Sequence, residues 1–407
     1  MSVHSSPSGP DAAYLGPGRA ARLRNVGLAI AGVGLALSAG AFFVDPSRFI
    51  RGYLVGFFWT LTIALGALIF VILQHLTKAG WSVAPRRSAE WLASGLQWSW
   101  LLFIPVALLA PRLFGHWMGV DWHGNKDLTA KHAFLNVPFF AVRAVIYFGL
   151  WFFLSRAYVK TSRKQDETGD PALTRRMQLW SGPAAYFFGF SITFAGFDWL
   201  MSLDPYWFST IFGIYIISGC IVSGVAAIAL IQVGLQRAKV LNRVSTEEHR
   251  HDLGKLLFGF TIFWAYIAFS QFFLIWYANI PEETSWFIHR WFTESGLHSG
   301  WMLWSLALLF LQFWVPFFLL LSRHPKRSYA WLTVGAIIVL VAHYIDIYWL
   351  VMPTFYQTSA AYSWMDLGGL LVPAGALVAW LGVRAARDPV YPLKDPRLAE
   401  AMAFVNL

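Results

Sequence analysis

The 407-residue sequence contains one cysteine, Cys220, and only 13% charged residues. With a single cysteine there is no CxxC, no CxxCH and no thiol cluster, so iron–sulfur centres, covalent haem and structural zinc are excluded as cofactors of this chain. Non-covalent haem calls for axial ligands, usually paired histidines, inside apolar sequence. Only His75, His298 and His343 lie in or at the ends of apolar stretches, and no stretch holds two. No Walker A loop, Gly-rich dinucleotide turn or zincin motif is present, which removes soluble-type catalysis. The first 22 residues are polar and Gly/Pro-rich without an apolar core, so no cleavable signal peptide is expected.

What the chain has in abundance is apolar sequence: 57% hydrophobic residues, 18% aromatics and a mean hydropathy of +0.53. These values define an integral membrane protein. Stretches of about 20 apolar residues, enough to cross a bilayer core, recur at 23–44, 52–74, 91–110, 136–158, 182–203, 207–233, 254–277, 298–321, 329–350 and 367–386. The expected fold is all-α with ten transmembrane spans and no room for a soluble domain. Residues 1–22 and 387–407 are expected to be cytoplasmic tails around a membrane domain at 23–386.

Basic residues set the orientation. With the N-terminus inside, 24 of the 31 Lys and Arg fall on cytoplasmic segments, six fall outside, and Arg143 lies within a span. That bias puts both termini in the cytoplasm. It also makes the pI near 9.7 a matter of topology and anionic lipid rather than nucleic-acid binding.

Two acids interrupt the apolar stretches, in Gly196-Phe197-Asp198-Trp199 and Tyr344-Ile345-Asp346-Ile347. Each is followed seven positions later by a proline, Pro205 and Pro353. A carboxylate in hydrocarbon costs roughly 2.5–3.5 kcal/mol on insertion scales, so two of them call for a use. Spans four and eight also end alike, in Leu154-Ser155-Arg156 and Leu321-Ser322-Arg323. The expectation is a parallel duplication, spans two to five (about 52–203) and six to nine (about 207–350), with spans one and ten outside it.

Depth places these groups toward the outer third of the bundle. Asp198 lies about 24 Å along span five, and Arg143 about 10 Å below the outer surface. His343 precedes Asp346 by one turn on the same face. Asn136, Arg143 and Tyr147 share a stripe, as do Ser191, Asp198 and Ser202, and as do Tyr266, Ser270 and Tyr277, with Gln271 alongside. The candidate proton-relay set is Asp198, Asp346, His343, Arg143, Tyr266 and Ser270. A structural reading stands beside it: Arg143 with one Asp as a buried ion pair that fixes packing, and hydroxyls as interhelical hydrogen-bond partners. A secondary transporter is a third reading, and it calls for Gly/Pro-broken helices at repeat-related midplane positions.

Long strings of this chain resemble a known family. Phe197-Asp198-Trp199-Leu200-Met201-Ser202-Leu203-Asp204-Pro205-Tyr206-Trp207, continuing to Gly213, is similar to the F subunits of bacterial alternative complex III. So are Asp252-Leu253-Gly254-Lys255, Phe263-Trp264-Ala265-Tyr266 through Gln271, and Trp276-Tyr277-Ala278-Asn279 through Thr284. That family belongs to the polysulfide-reductase-like (NrfD-type) membrane subunits, with two four-helix bundles and a flanking helix on each side. The resemblance implies a subunit of a quinol:cytochrome c oxidoreductase in the bacterial inner membrane. It also implies a homologous C-type membrane subunit, an iron–sulfur subunit, c-type cytochrome subunits and a terminal oxidase as partners. Iron–sulfur clusters and c-type haems would sit on those partners. This chain would hold no cofactor of its own beyond quinol or menaquinol nearby, and would serve as scaffold and as a proton half-channel or a quinone-adjacent element.

Overall fold

The structure is a computed structural model and describes residues 13–122, 124–293, 295–357 and 362–406; the first twelve residues of the N-terminal tail and Leu407 lie outside the described residues. Among these, the chain is all-helical, and ten helices are long and apolar enough to cross a membrane. They run Pro17–Val44, Pro46–Leu76, Val83–Leu108, Val137–Thr168, Pro171–Leu203, Phe212–Arg237, Glu247–Ala278, Trp301–Leu321, Tyr329–Thr354 and Trp364–Arg387, here spans one to ten.

Their ends follow local chemistry. Proline stands in the first turn of spans one, two, four and five, where its missing N–H costs nothing. Asp45 caps span two by accepting from the N–H of Ser47 and Arg48, both at 2.9 Å. Gly169, at φ 69°, closes span four, and the next residue, Asp170, caps span five. Asn279, at φ 50°, ends span seven just before Pro281.

Span two is the axis of the molecule. Its most apolar window is 94% buried, and it packs against spans three, five, six, nine and ten. Glycine permits the closest of these approaches: a Cβ on Gly66 would stand 1.8 Å from the Cys220 carbonyl oxygen of span six. Without a hydrophobic drive between helices in lipid, such small-residue contacts hold the bundle. Span four packs on spans three and five, and span eight on spans seven and nine. Spans one and ten pack against each other along Gly27, Gly34 and Gly375, so both flank one side of the molecule rather than one lying on each side.

Two spans are irregular. Span three is interrupted by a 3-10 turn at Ser94–Gln97, whereas span seven is continuous. Span eight widens into a π-turn at Leu309–Trp314. Pro316 explains the latter, because it lacks an N–H and its ring clashes with the carbonyl of Gln312 four residues back.

Several helices begin earlier than hydropathy implies. Span three starts at Val83, eight residues before 91, and so carries Arg86, Arg87 and Glu90 as buried residues. These charges are tolerated because they neutralise one another. Arg87 Nη1 lies 2.8 Å from Glu90, Arg86 Nε lies 3.4 Å from it, and the two arginines also pair with Asp395 and Asp166. The last two contacts tie the C-terminal tail and the end of span four to span three. The same end of the bundle joins Arg163 and Arg384 to Asp388 at 3.0 and 2.6 Å.

Candidate functional site at the buried carboxylates

Asp198 and Asp346 are both buried, at 0% and 1% exposure, yet their surroundings differ. Asp198 ends span five beside the first turns of span four. Arg143 grips it with two parallel bonds, Nε to Oδ2 at 2.7 Å and Nη2 to Oδ1 at 2.6 Å. Tyr147 adds a third from its hydroxyl, at 2.7 Å. The remaining guanidinium nitrogen of Arg143 donates to the Phe134 carbonyl at 2.9 Å, and the Phe134 and Phe139 rings cover its faces at 3.9 and 4.3 Å. Both oxygens of the carboxylate are engaged by donors. Ser191 and Ser202 serve the same packing: Ser191 accepts from Trp151 at 2.9 Å, and Ser202 donates to the Asp198 carbonyl at 2.5 Å. Asn136 caps span four instead of joining the stripe.

Asp346 has no such cation. Its Oδ1 accepts from the Tyr215 hydroxyl of span six, and its Oδ2 accepts from Trp264 Nε1 of span seven at 3.2 Å. The nearest ionisable base is His343, whose Nδ1 lies 3.8 Å from Oδ2 and has no hydrogen-bond partner. His343 Nε2 stands 2.8 Å from the Thr62 hydroxyl of span two. Because Thr62 donates to the Trp59 carbonyl at 2.8 Å, it accepts from His343, which assigns the N–H to Nε2. Nδ1 therefore faces the carboxylate with a lone pair or with a second proton. Gly219 of span six makes room for the ring: a Cβ there would meet His343 Cε1 at 2.9 Å.

The two donors to Asp346 also form part of a wall. Tyr215 and Trp264, with Gln271, Phe272, Phe287, Ser305 and other apolar residues, line a cavity of about 500 Å³ between spans seven, eight and nine. Phe269, Leu306 and Leu309 at its rim are 62%, 42% and 45% exposed, so it opens sideways toward the lipid-facing surface. Gln271 is 4% exposed, and its amide oxygen has no partner.

Tyr266 and Ser270 do not join these groups. Tyr266 is 65% exposed on the outward face of span seven and Ser270 is half-buried, with neither bonded to an acid. The helix turns Trp264, Ile267, Gln271 and Ile275 inward, so the hydroxyl stripe of Tyr266 and Tyr277 looks out.

Besides Tyr215 and Thr62, the sequence reading passed over Asp366 and Arg290 and gave Gln271 no role of its own. Asp366, at the first turn of span ten, is fully buried and accepts from Arg48 at 3.0 and 2.5 Å, from Tyr348 at 3.2 Å and from the Ser363 N–H at 2.9 Å. Arg290 is 2% exposed, lies 3.3 Å over the Trp286 ring, and donates to the carbonyls of Trp286, Trp349 and Leu350 at 2.8 to 3.4 Å. It thus caps the last turn of span nine. Burial pulls its guanidinium well below the ordinary arginine value, and the Asp204 charge pushes back. Gln271 lay alongside the hydroxyl stripe in sequence, but nothing there distinguished it from its neighbours. For Asp366 a signal existed: Ser363 three residues before an acid is a capping box.

Among the described residues no three His, Cys, Asp or Glu side chains converge as a metal site. The chain matches no family model and no curated protein sequence.

Proposed function

We propose that this chain is the F-type membrane subunit of a quinol:cytochrome c oxidoreductase, a scaffold that carries a proton half-channel beside a quinone-accessible pocket. The observation behind the reading is Asp346. It is a buried carboxylate with no Arg or Lys within 4.0 Å among the described residues, and both of its donors line a lipid-facing apolar cavity. Such a cavity suits a membrane-soluble ring with hydroxyls, and Gln271 supplies an acceptor that would orient one of them.

The chemistry is relay. A quinol hydroxyl proton enters at the Tyr215 oxygen while Tyr215 releases its own to Asp346. His343 Nδ1 faces the carboxyl and takes the next position, with Thr62 fixing the ring. On this reading, iron–sulfur and c-type haem centres on partner subunits would take the electrons. Beyond Thr62, span two is apolar from Ile63 to Leu73, so side chains alone carry the proton only partway.

Span two packs on three and five with span four against those two, and span six packs on seven and nine with span eight against those two; this matched pattern supports reading the two sets as halves of a duplicated unit. Both termini then lie in the cytoplasm, as the basic bias implies. Asp198 favours the structural alternative for its own half, because Arg143 and Tyr147 saturate it. The transporter reading is weakened, because the break in span three has no counterpart in span seven.

The test combines assembly with turnover. In mild detergent the chain should co-purify with a close membrane homologue, an iron–sulfur protein and c-type cytochromes. Tyr215→Phe and Asp346→Asn should leave that assembly intact and lower quinol-dependent turnover or proton release. A stable redox-silent monomer that moves a solute in liposomes would defeat the reading. So would full coupled activity in both variants.

A further inference from the structure

At the end of the bundle where Ala13 and Asn406 lie, a cleft of about 730 Å³ lies between the end of span six, the short helix Arg323–Arg327 and the start of span nine. Arg237, Arg323, His324 and Arg327 line it, with Glu247 as its one acid. Arg327 is already paired, to Glu247 at 2.9 Å and Glu248 at 2.6 Å. Arg237, Arg323 and His324 have no carboxylate within 4.0 Å among the described residues. With Glu247 and Glu248 both counted against the three arginines, the cleft holds one permanent positive charge and one titratable one in excess, and Arg237 and Arg323 are the two cations without a direct carboxylate partner among the described residues.

Its position says what would neutralise them. Span six ends at Arg237 and the helix of span nine begins at Tyr329, so the cleft sits where apolar helices give way to polar sequence. Ala330 lines the cleft, and Val334, Ile337 and Val341 continue its face at i+4, i+7 and i+11, each exposed, at 42%, 48% and 51%. That apolar stripe runs about 17 Å into the bilayer from the mouth of the cleft. A basic headgroup pocket continuous with an exposed apolar track has the shape of a phospholipid. We propose that this cleft binds one anionic phospholipid, its phosphate among Arg237, Arg323 and His324 and an acyl chain along Val334, Ile337 and Val341. A soluble phosphate would use the same cations but not the stripe.

Native mass spectrometry on the full chain, or on the assembly it purifies with, tests this. After exchange into nanodiscs, one phosphatidylglycerol should be retained through detergent release, and phosphatidylcholine should not. The double variant Arg237→Gln/Arg323→Gln should lower retention by about ten-fold or more, given roughly five-fold per surface cation. Neutralising Arg156, Lys160 and Lys164 at the same end of the bundle should leave retention unchanged. Should the double variant not fold, Arg323→Gln alone, at an exposed position that starts a five-residue helix, carries the measurement with about five-fold loss. Equal loss from the control triple would make the attraction a general property of the basic surface and overturn the site. Equal retention of phosphatidylcholine would overturn it too, as would full displacement by inorganic phosphate at matched concentration.

Discussion

Replacing Asp198 and Asp346 by asparagine separately should give unequal results. Asp198→Asn leaves the Arg143 guanidinium buried at 6% exposure without its counter-charge and sets an amide NH2 against the guanidinium or the Tyr147 hydroxyl. Breaking a buried pair by removing one partner costs about 3–5 kcal/mol. Asp346→Asn strands no cation: the amide oxygen still accepts from Tyr215, and the amide NH2, turned toward His343, can donate to the free Nδ1. Its cost should be about 1–2 kcal/mol, that of one weakened hydrogen bond. A gap of about 2 kcal/mol is roughly 30-fold in the folded-to-unfolded ratio. Unfolding by SDS titration in mixed micelles, with the retained monodisperse fraction as a second readout, measures it. Arg143→Met with Asp198→Leu should recover much of the loss, since an apolar pair of similar volume removes both charges. Equal stability of the two single variants would refute the assignment of Asp198 to packing, as would a double variant no more stable than Asp198→Asn.

Arg48→Ala should destabilise by about 3–5 kcal/mol in the same titration, because it leaves Asp366 buried and uncompensated. Gly66→Ala should abolish folded expression, since the added carbon would overlap the Cys220 carbonyl and backbone cannot yield as a side chain can; a monodisperse Gly66→Ala protein would contradict the tight crossing of spans two and six. Arg290→Ala should cost about 1.5–3 kcal/mol by uncapping the Trp349 and Leu350 carbonyls, with earlier proteolysis within Pro281–Trp291 as the local signature. Single cysteines introduced at Lys164 and Glu282 should label from opposite sides of intact spheroplasts. The native Cys220 is fully buried and should stay silent in that experiment.

Hydropathy found ten spans because length and apolarity are local properties, and it misjudged ends where charge is neutralised at a distance. Arg86, Arg87 and Glu90 read as loop because their partners Asp166 and Asp395 are remote in sequence. The same holds for Arg48 and Asp366, which lie just outside the apolar stretches and meet only through the fold. The i to i+3 step from His343 to Asp346 was legible, since helical geometry alone creates it. Tyr215, Trp264 and Thr62, the groups that complete that site, come from three other spans and leave no trace in its neighbourhood. Tyr266 misled for a different reason. Span seven is apolar on all faces, so periodicity shows which residues share a face but not which face turns inward.

Two acids in matched sequence contexts have thus acquired different roles through what stands opposite them. Arg143 lies twelve residues before Ser155 in the shared end of span four, and the residue twelve before Ser322 in span eight is Phe310. Phe310 belongs to the π-turn and is 54% exposed, so span eight offers Asp346 neither a cation nor an inward side chain there. The widened turn brings Leu309 and Phe313 to the cavity wall instead. Where spans four and five close around Asp198 with an ion pair, spans six to nine leave a space beside a carboxylate whose donors are a phenol and an indole. Asp198 is held by a guanidinium and a phenol, whereas Asp346 is held by neutral donors beside an imidazole. That difference in surroundings is what makes Asp346, rather than Asp198, the acid on which the proposed relay rests.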